Sequence, residues 1–297
     1  MRAILALKAA AIAAALLAAA GGLTPAQAQA APVAPSAAGP AAAPAFAASV
    51  AAAAPAAAAP AAAGSATAAA AAGARNVVIV PGSFVDGSGW RVVFDILYHA
   101  GYHVTIANQP HTSFDDDIAA AREVLDQQVG PVVLVGHSSG GAIISAAGAR
   151  DKVKALVYVS ALLPDVGESL AQVLGSMPAP SNSVVATQDG HLFFDRARFH
   201  ADFGADLAEN RTNFMAAAQV PATTAAFTTQ IWSAAWRSKP SYAIVSTDDR
   251  ALSPDLQRWM YQRAGARVTE IKASHLVYIS QPEKVADVIL TAAHNAH

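Results

Sequence analysis

The chain has 297 residues, no cysteine and a formal net charge of −2 at pH 7, with 54% hydrophobic and 13% charged residues. So balanced a charge leaves no basic footprint for nucleic acid or an anionic membrane surface, and a chain without cysteine has neither disulfides nor a cysteine-linked lipid anchor. A small molecule is the expected partner.

The N-terminus opens with Arg2 and Lys8, continues through an apolar run from Ala9 to Leu23 and closes on Ala26-Gln27-Ala28-Gln29-Ala30. A basic start, an apolar stretch short of a comfortable membrane span and small residues at alternating positions predict a signal peptide over residues 1–30. The expected mature chain is periplasmic or secreted, without stable membrane insertion. An uncleaved anchor is the rival reading, disfavoured because alanine is only weakly apolar. Residues 31–74 are almost all Ala and Pro and carry no charge, which predicts a low-complexity linker: proline recurs too often for a continuous helix, and nothing there can build a core. Residues 75–297 have the size and mixed composition of one globular domain.

Asn76 to Val80 is a buried-strand run, followed by helical text from Trp90 to Ala100 that Gly101 closes. Tyr102 to Ala107 is the next strand, and Ser113 caps a helix through Gln128 with Asp115, Asp116 and Asp117 in its first turn. The β-branched run Pro131-Val132-Val133-Leu134-Val135 ends in Gly136-His137-Ser138-Ser139-Gly140 and passes directly into a helical stretch from Ala142. Val153 to Ser160, Tyr242 to Ser246 and Arg267 to Ile271 are further strands, and Pro282 opens a last helix. Near-continuous apolar strands alternating with helices predict an α/β fold, a doubly wound and mostly parallel six-stranded sheet covered on both faces.

The alternation breaks over residues 165–238, where mostly helical-looking text carries many aromatics, and this segment is expected to form a helical cap over the strand ends. Most of its aromatics are expected to pack the cap onto the core. Trp232 and Trp236, four apart and so on one helix face, are the better candidates for a substrate pocket, together with Phe84 beyond the first strand.

Gly-x-Ser-x-Gly between strand and helix is the layout of a nucleophile elbow, which makes Ser138 the candidate nucleophile. A serine hydroxyl needs a base within hydrogen-bond reach and an acid to orient that base, and in this topology the acid precedes the histidine. Of nine histidines only His275, at the end of the sixth strand, has the right order and place. His137 is expected to pack behind Ser138, and His111 to be a solvated loop histidine. Asp249 is preferred to Asp248 as the acid because it leads out of the fifth strand toward the helix opening near Pro254. Attack by Ser138 makes an oxyanion that needs fixed donors. The backbone N–H groups of Ser139 and Ser83 are the expected pair, with Phe84 in reserve.

With these residues in place, the segment from Arg75 resembles the α/β-hydrolase superfamily. More narrowly it resembles small bacterial carboxylesterase-like members related to plant methyl esterases and hydroxynitrile lyases, through Gly82-Ser83-Phe84 with Trp90, the elbow, Ser274-His275 and Ser280-Gln281-Pro282. The resemblance implies a serine hydrolase that cleaves small or medium apolar esters through an acyl-enzyme, with neither metal nor organic cofactor. The plant lyases typically carry a threonine where this chain has Gly82 and a lysine where it has Leu276, so both positions resemble the esterases. Pro81 is a departure, standing where the family commonly has histidine. The alternatives are another reaction on the same residues, as a lyase, amidase or perhydrolase, or a catalytically silent binding module.

Overall fold

The computed structural model describes residues 73–297, so the signal peptide expected over 1–30, and the linker up to residue 72, lie outside the described residues. At the start of the described residues Ala74 is buried and its N–H donates to Ala296 O at 3.1 Å.

In chain order the strands are β1 (Asn76–Val80), β2 (His103–Ile106), β3 (Val132–His137) and β4 (Val153–Val159), then β5 (Val184–Ala186), β6 (His191–Phe194) and β7 (Ala222–Thr223) inside the cap, then β8 (Ser241–Ser246) and β9 (Arg267–Ile271). The main sheet has six strands in the order β2-β1-β3-β4-β8-β9, every pair parallel. Every residue of β1, β3 and β8 is buried, as the continuous apolar runs require of strands covered on both faces, whereas the edge strand β2 is mostly half-buried and the edge strand β9 largely exposed.

The helices are α1 (Arg91–His99), α2 (Phe114–Gln127), α3 (Gly140–Ala147), the short cap helices α4 (Leu170–Gly175), α5 (Phe199–Phe203), α6 (Glu209–Ala217) and α7 (Thr224–Thr228), then α8 (Pro254–Arg263), α9 (Val277–Ser280) and α10 (Pro282–His294). α1 packs on α10 and α2 on α3, two helix layers that enclose the sheet. Ser113 caps α2 by accepting the Asp116 N–H at 3.1 Å, as its sequence predicts. Because the chain steps outward from β1 to β2 and then returns to β3, the strand order reverses between β1 and β3. The turns leaving those two strands therefore meet at one crevice.

The cap is more than helical. Besides α4 to α7 it holds a three-stranded antiparallel sheet, β5-β6-β7. Two signals for it lie in the sequence. Val184-Val185-Ala186 is β-branched text, and His191 to Phe194 alternates between half-buried and buried residues across the turn at Gly190, whose φ is +84°.

Contacts at the crevice leave no room for side chains. A Cβ on Gly136 would sit 2.7 Å from Gly140 O, and one on Gly140 would sit 2.5 Å from both Pro81 O and Val80 O. Since every obstructing atom is backbone, relief requires moving β1 or α3. Gly140→Ala is expected to destabilise the fold by about 3 kcal/mol or more, measured by urea unfolding, whereas Gly148→Ala, which meets the flexible Leu156 side chain as well as backbone, is expected to lose less.

Candidate active site

Ser138 sits in the turn between β3 and α3 with φ +52°, a left-handed backbone that an L-serine adopts at a cost of about 1–3 kcal/mol. Three hydrogen bonds impose it: its N–H donates to Val159 O (3.3 Å), and its carbonyl accepts from Gly141 (3.1 Å) and Leu162 (2.9 Å). The side chain is thereby turned out of the strand. Ser138 is half-buried, and its Oγ has no hydrogen-bond partner among the described residues.

His275 lies between β9 and α9 and is 1% exposed. Its Nδ1 is 2.7 Å from Asp249 Oδ2, a contact in which Nδ1 donates its proton to the carboxylate and Nε2 keeps the lone pair. Asp249 is buried too. Its Oδ1 accepts the Ala251 and Leu252 N–H groups at 2.9 and 2.8 Å, and its Oδ2 accepts Gln257 Nε2 at 2.8 Å. Counting His275, four donors converge on one carboxylate. Asp248 is exposed, and Arg250 pairs with Asp202 of the cap instead of with it.

Gln257 went unmarked in the sequence. It is fully buried on α8 and bridges Asp249 to Leu252 O (2.9 Å) and to the Ser246 N–H (3.2 Å). Its only sequence signal is its place on the first turn after Pro254, which any solvated glutamine could occupy.

His137 lies behind the elbow as expected, with its ring centroid 4.7 Å from those of both His275 and Tyr278. Its Nε2 donates to the His275 carbonyl at 3.1 Å, a bond that requires the Nε2–H form. Burial, and then repulsion from His275, hold its pKa well below the ordinary histidine value, so it is a neutral prop beneath His275.

The two expected oxyanion donors differ in their engagement. The Ser139 N–H, at the start of α3, has no backbone acceptor among the described residues. The Ser83 N–H is not free: it donates to Ser139 Oγ at 2.8 Å, and the two hydroxyls are also 2.8 Å apart. The reserve donor, the Phe84 N–H, is engaged by Val220 O at 3.2 Å. The physical reason is the residue after Ser138, a serine whose hydroxyl reaches across to β1's turn. Pro81, lacking a side-chain donor, has its carbonyl held by Gln109 Nε2 at 3.0 Å.

Phe84 is buried with its ring 6.2 Å from Phe194 and 6.5 Å from Phe227. Phe194 contacts Phe203 at 4.8 Å, and Phe203 lies 4.8 Å from the His275 ring, so an aromatic chain runs from the β1 turn to the base. Trp232 and Trp236 do not share a helix face, because the segment between them is irregular. Trp232 is 51% exposed and lies under Arg122 of α2. Trp236 donates its indole N–H to Pro164 O (2.9 Å) and stacks near Arg263. Neither joins the aromatic chain. His111 is also misjudged by sequence: it is 5% exposed, and its N–H donates to Asp117 Oδ1 at 2.7 Å.

The model of the alpha/beta hydrolase family matches residues 77–288. Methylesterase 9 of Arabidopsis thaliana is 26% identical over 262 residues, 74% of this chain and 98% of that one. Among solved structures, a pyrethroid hydrolase from Sphingobium faniae JZ-2 superposes with a TM-score of 0.64 at 23% identity, covering 74% of this chain and 97% of the other. Polyneuridine aldehyde esterase superposes with a TM-score of 0.63 at 21% identity, covering 73% and 98%.

Two outcomes follow from the buried polar chain. Gln257→Leu removes one donor from a buried carboxylate and is expected to lower stability by about 1.5–3 kcal/mol in urea unfolding, with Gln257→Glu worse because it sets a second carboxylate beside Asp249. His137 has a folded pKa below its unfolded value of 6.5, so below that pH the unfolded chain binds a proton that the folded chain refuses. Its contribution is present above about pH 6.5 and is lost as pH falls toward the folded pKa, with a slope of up to about 1.4 kcal/mol per pH unit. Unfolding measured between about pH 7.5 and 5 is expected to show a shallower slope in His137→Gln, which keeps a donor for the His275 carbonyl.

Proposed function

This chain belongs to the alpha/beta hydrolase family, and on that premise we propose that it is a serine esterase acting on small or medium apolar carboxylic esters. The observation that carries the reading is a buried His275–Asp249 pair whose imidazole lies 4.7 Å from the ring of His137, the residue directly before a serine held in a left-handed turn. Ser138 Oγ attacks the ester carbonyl as His275 Nε2 takes its proton, and Asp249 stabilises the imidazolium. The Ser139 N–H receives the oxyanion at the positive end of α3, and the Ser83 N–H joins it as the Ser139 hydroxyl turns away. His275 returns the proton to the departing alcohol. Water, activated by the same nitrogen, then frees the acid from Ser138.

Phe84, Phe194, Phe203 and Phe227 supply the apolar lining on this reading. Hydrolysis is favoured over cyanohydrin cleavage by two positions. A Cβ on Gly82 would lie 2.6 Å from Ser138 Cβ, and the residue after the base is the fully buried Leu276, which offers no cation. The names of the relatives, methylesterase and pyrethroid hydrolase among them, point the same way. Export to the periplasm or medium, directed by residues 1–30, is part of the proposal.

The deciding assay follows p-nitrophenyl esters from acetate to palmitate, and an aryl ester, with the protein and with Ser138→Ala. Turnover is expected to peak at short or medium acyl chains and to fall by about 10⁴-fold or more in the variant. A fluorophosphonate is expected to label Ser138. Wild-type protein with neither turnover nor adduct would sink the reading in favour of a binding role.

A further inference from the structure

Two carboxylates of the cap reach the loops that carry the acid and the base. Asp202, at the end of α5, is 2% exposed. It accepts from Ser183 Oγ (2.7 Å), from Arg198 just ahead of that helix (3.0 Å) and, on Oδ1, from Arg250 Nε (2.8 Å), the neighbour of Asp249. Burial opposes its charge, but the bonds from Arg250, Ser183 and Arg198 outweigh that and hold its pKa below the usual carboxylate value. Asp206, four residues on, accepts the Ser274 N–H at 3.0 Å and the Ser274 hydroxyl, and Ser274 immediately precedes His275. Between them, Phe203 lays its ring 4.8 Å from the His275 imidazole.

A helix of five residues has no stability of its own, so the place of α5 is set by what holds it. The two carboxylates are separated along the chain by about one helical turn, and each grips a different catalytic loop. The bonds cross 48 and 68 residues of sequence, joining the cap to two loop residues, Arg250 and Ser274, that are themselves 24 residues apart.

We propose that Asp202 and Asp206 are positioning residues for the Asp249 and His275 loops, so that the stretch from Phe199 to Asp206 is a fixed wall of the site. The proposal rests on the serine-esterase reading for its kinetic arm alone. A general base displaced by about 1 Å loses about 100-fold in rate, which makes these tethers kinetically visible even where the fold survives their loss.

The test compares Asp206→Ala, Asp206→Asn and Asp202→Asn with Glu168→Ala. Glu168 anchors the other end of the cap through Arg263, at 2.7 and 3.0 Å, and touches neither catalytic loop. Each protein is assayed for kcat and KM, for thermal midpoint, and for the low-field proton resonance of His275 Nδ1–H, which needs no activity. Asp206→Ala is expected to lose about ten-fold in kcat with KM within about two-fold, and to shift or broaden the resonance. Asp206→Asn, which keeps an acceptor for Ser274, is expected to recover most of that loss. Asp202→Asn is expected to lower kcat in the same direction as Asp206→Ala. Glu168→Ala is expected to lower the midpoint while keeping kcat and the resonance.

If Asp206→Ala does not fold, Ser274→Ala removes the hydroxyl bond from the other side and is expected to show a smaller change of the same sign. An unchanged kcat and resonance in folded Asp206→Ala would overturn the proposal, as would an equal loss in Glu168→Ala. A wild-type protein without esterase activity would instead overturn the functional reading, and the resonance comparison would still decide this one.

Discussion

The left-handed turn at Ser138 is the constraint around which the rest of the structure is arranged. A non-glycine residue holds φ +52° only where its surroundings leave no alternative, and here the surroundings are backbone. Gly136 and Gly140 let β3, α3 and the β1 turn approach until a single methyl group would collide, and the Ser138 carbonyl is bound twice. The burial of β1 and β3 offsets this strain: both strands lie wholly inside the sheet, with helix layers on either face. A turn of the same sequence without that close packing would relax, and the hydroxyl would swing away from the crevice.

Behind the turn runs a chain of buried polar groups in which each member is oriented by the next. Asp249 would be costly to bury as a charge, and the four donors on it turn that cost into a fixed orientation. His275 is thereby held in one tautomer, and its backbone is held by a neutral His137. Gln257 belongs to this chain as fully as Asp249 and His275 do, since it ties Asp249 to the Ser246 end of β8. On the side facing Ser83 the arrangement is likewise self-satisfied, because the Ser83 amide donates to the Ser139 hydroxyl.

The cap contributes both walls and anchors. Its aromatic residues form a continuous series with Phe84 at one end and His275 at the other. Its small sheet gives short, individually unstable helices something to attach to, and its carboxylates bind loops of the main domain. A segment that interrupts the strand and helix alternation in sequence thus becomes, in space, part of the site that the alternation builds.

By itself the sequence determined the sheet, the turn between β3 and α3 and the chain order Ser138, Asp249, His275. Apolar period, turn glycines and capping serines are local signals, and in a parallel fold they leave little freedom about which strand ends share an edge. Asp249 could be preferred over Asp248 because leaving a strand toward Pro254 is also local. Only the tertiary structure decided which side chains meet across that edge. The Ser83 amide met a hydroxyl 56 residues away, Asp206 met Ser274 at a separation of 68, and Trp232 and Trp236 turned to arginines because no helix formed to align them. A hydrogen bond over such distances depends on how whole elements pack, and no spacing of residue types encodes it.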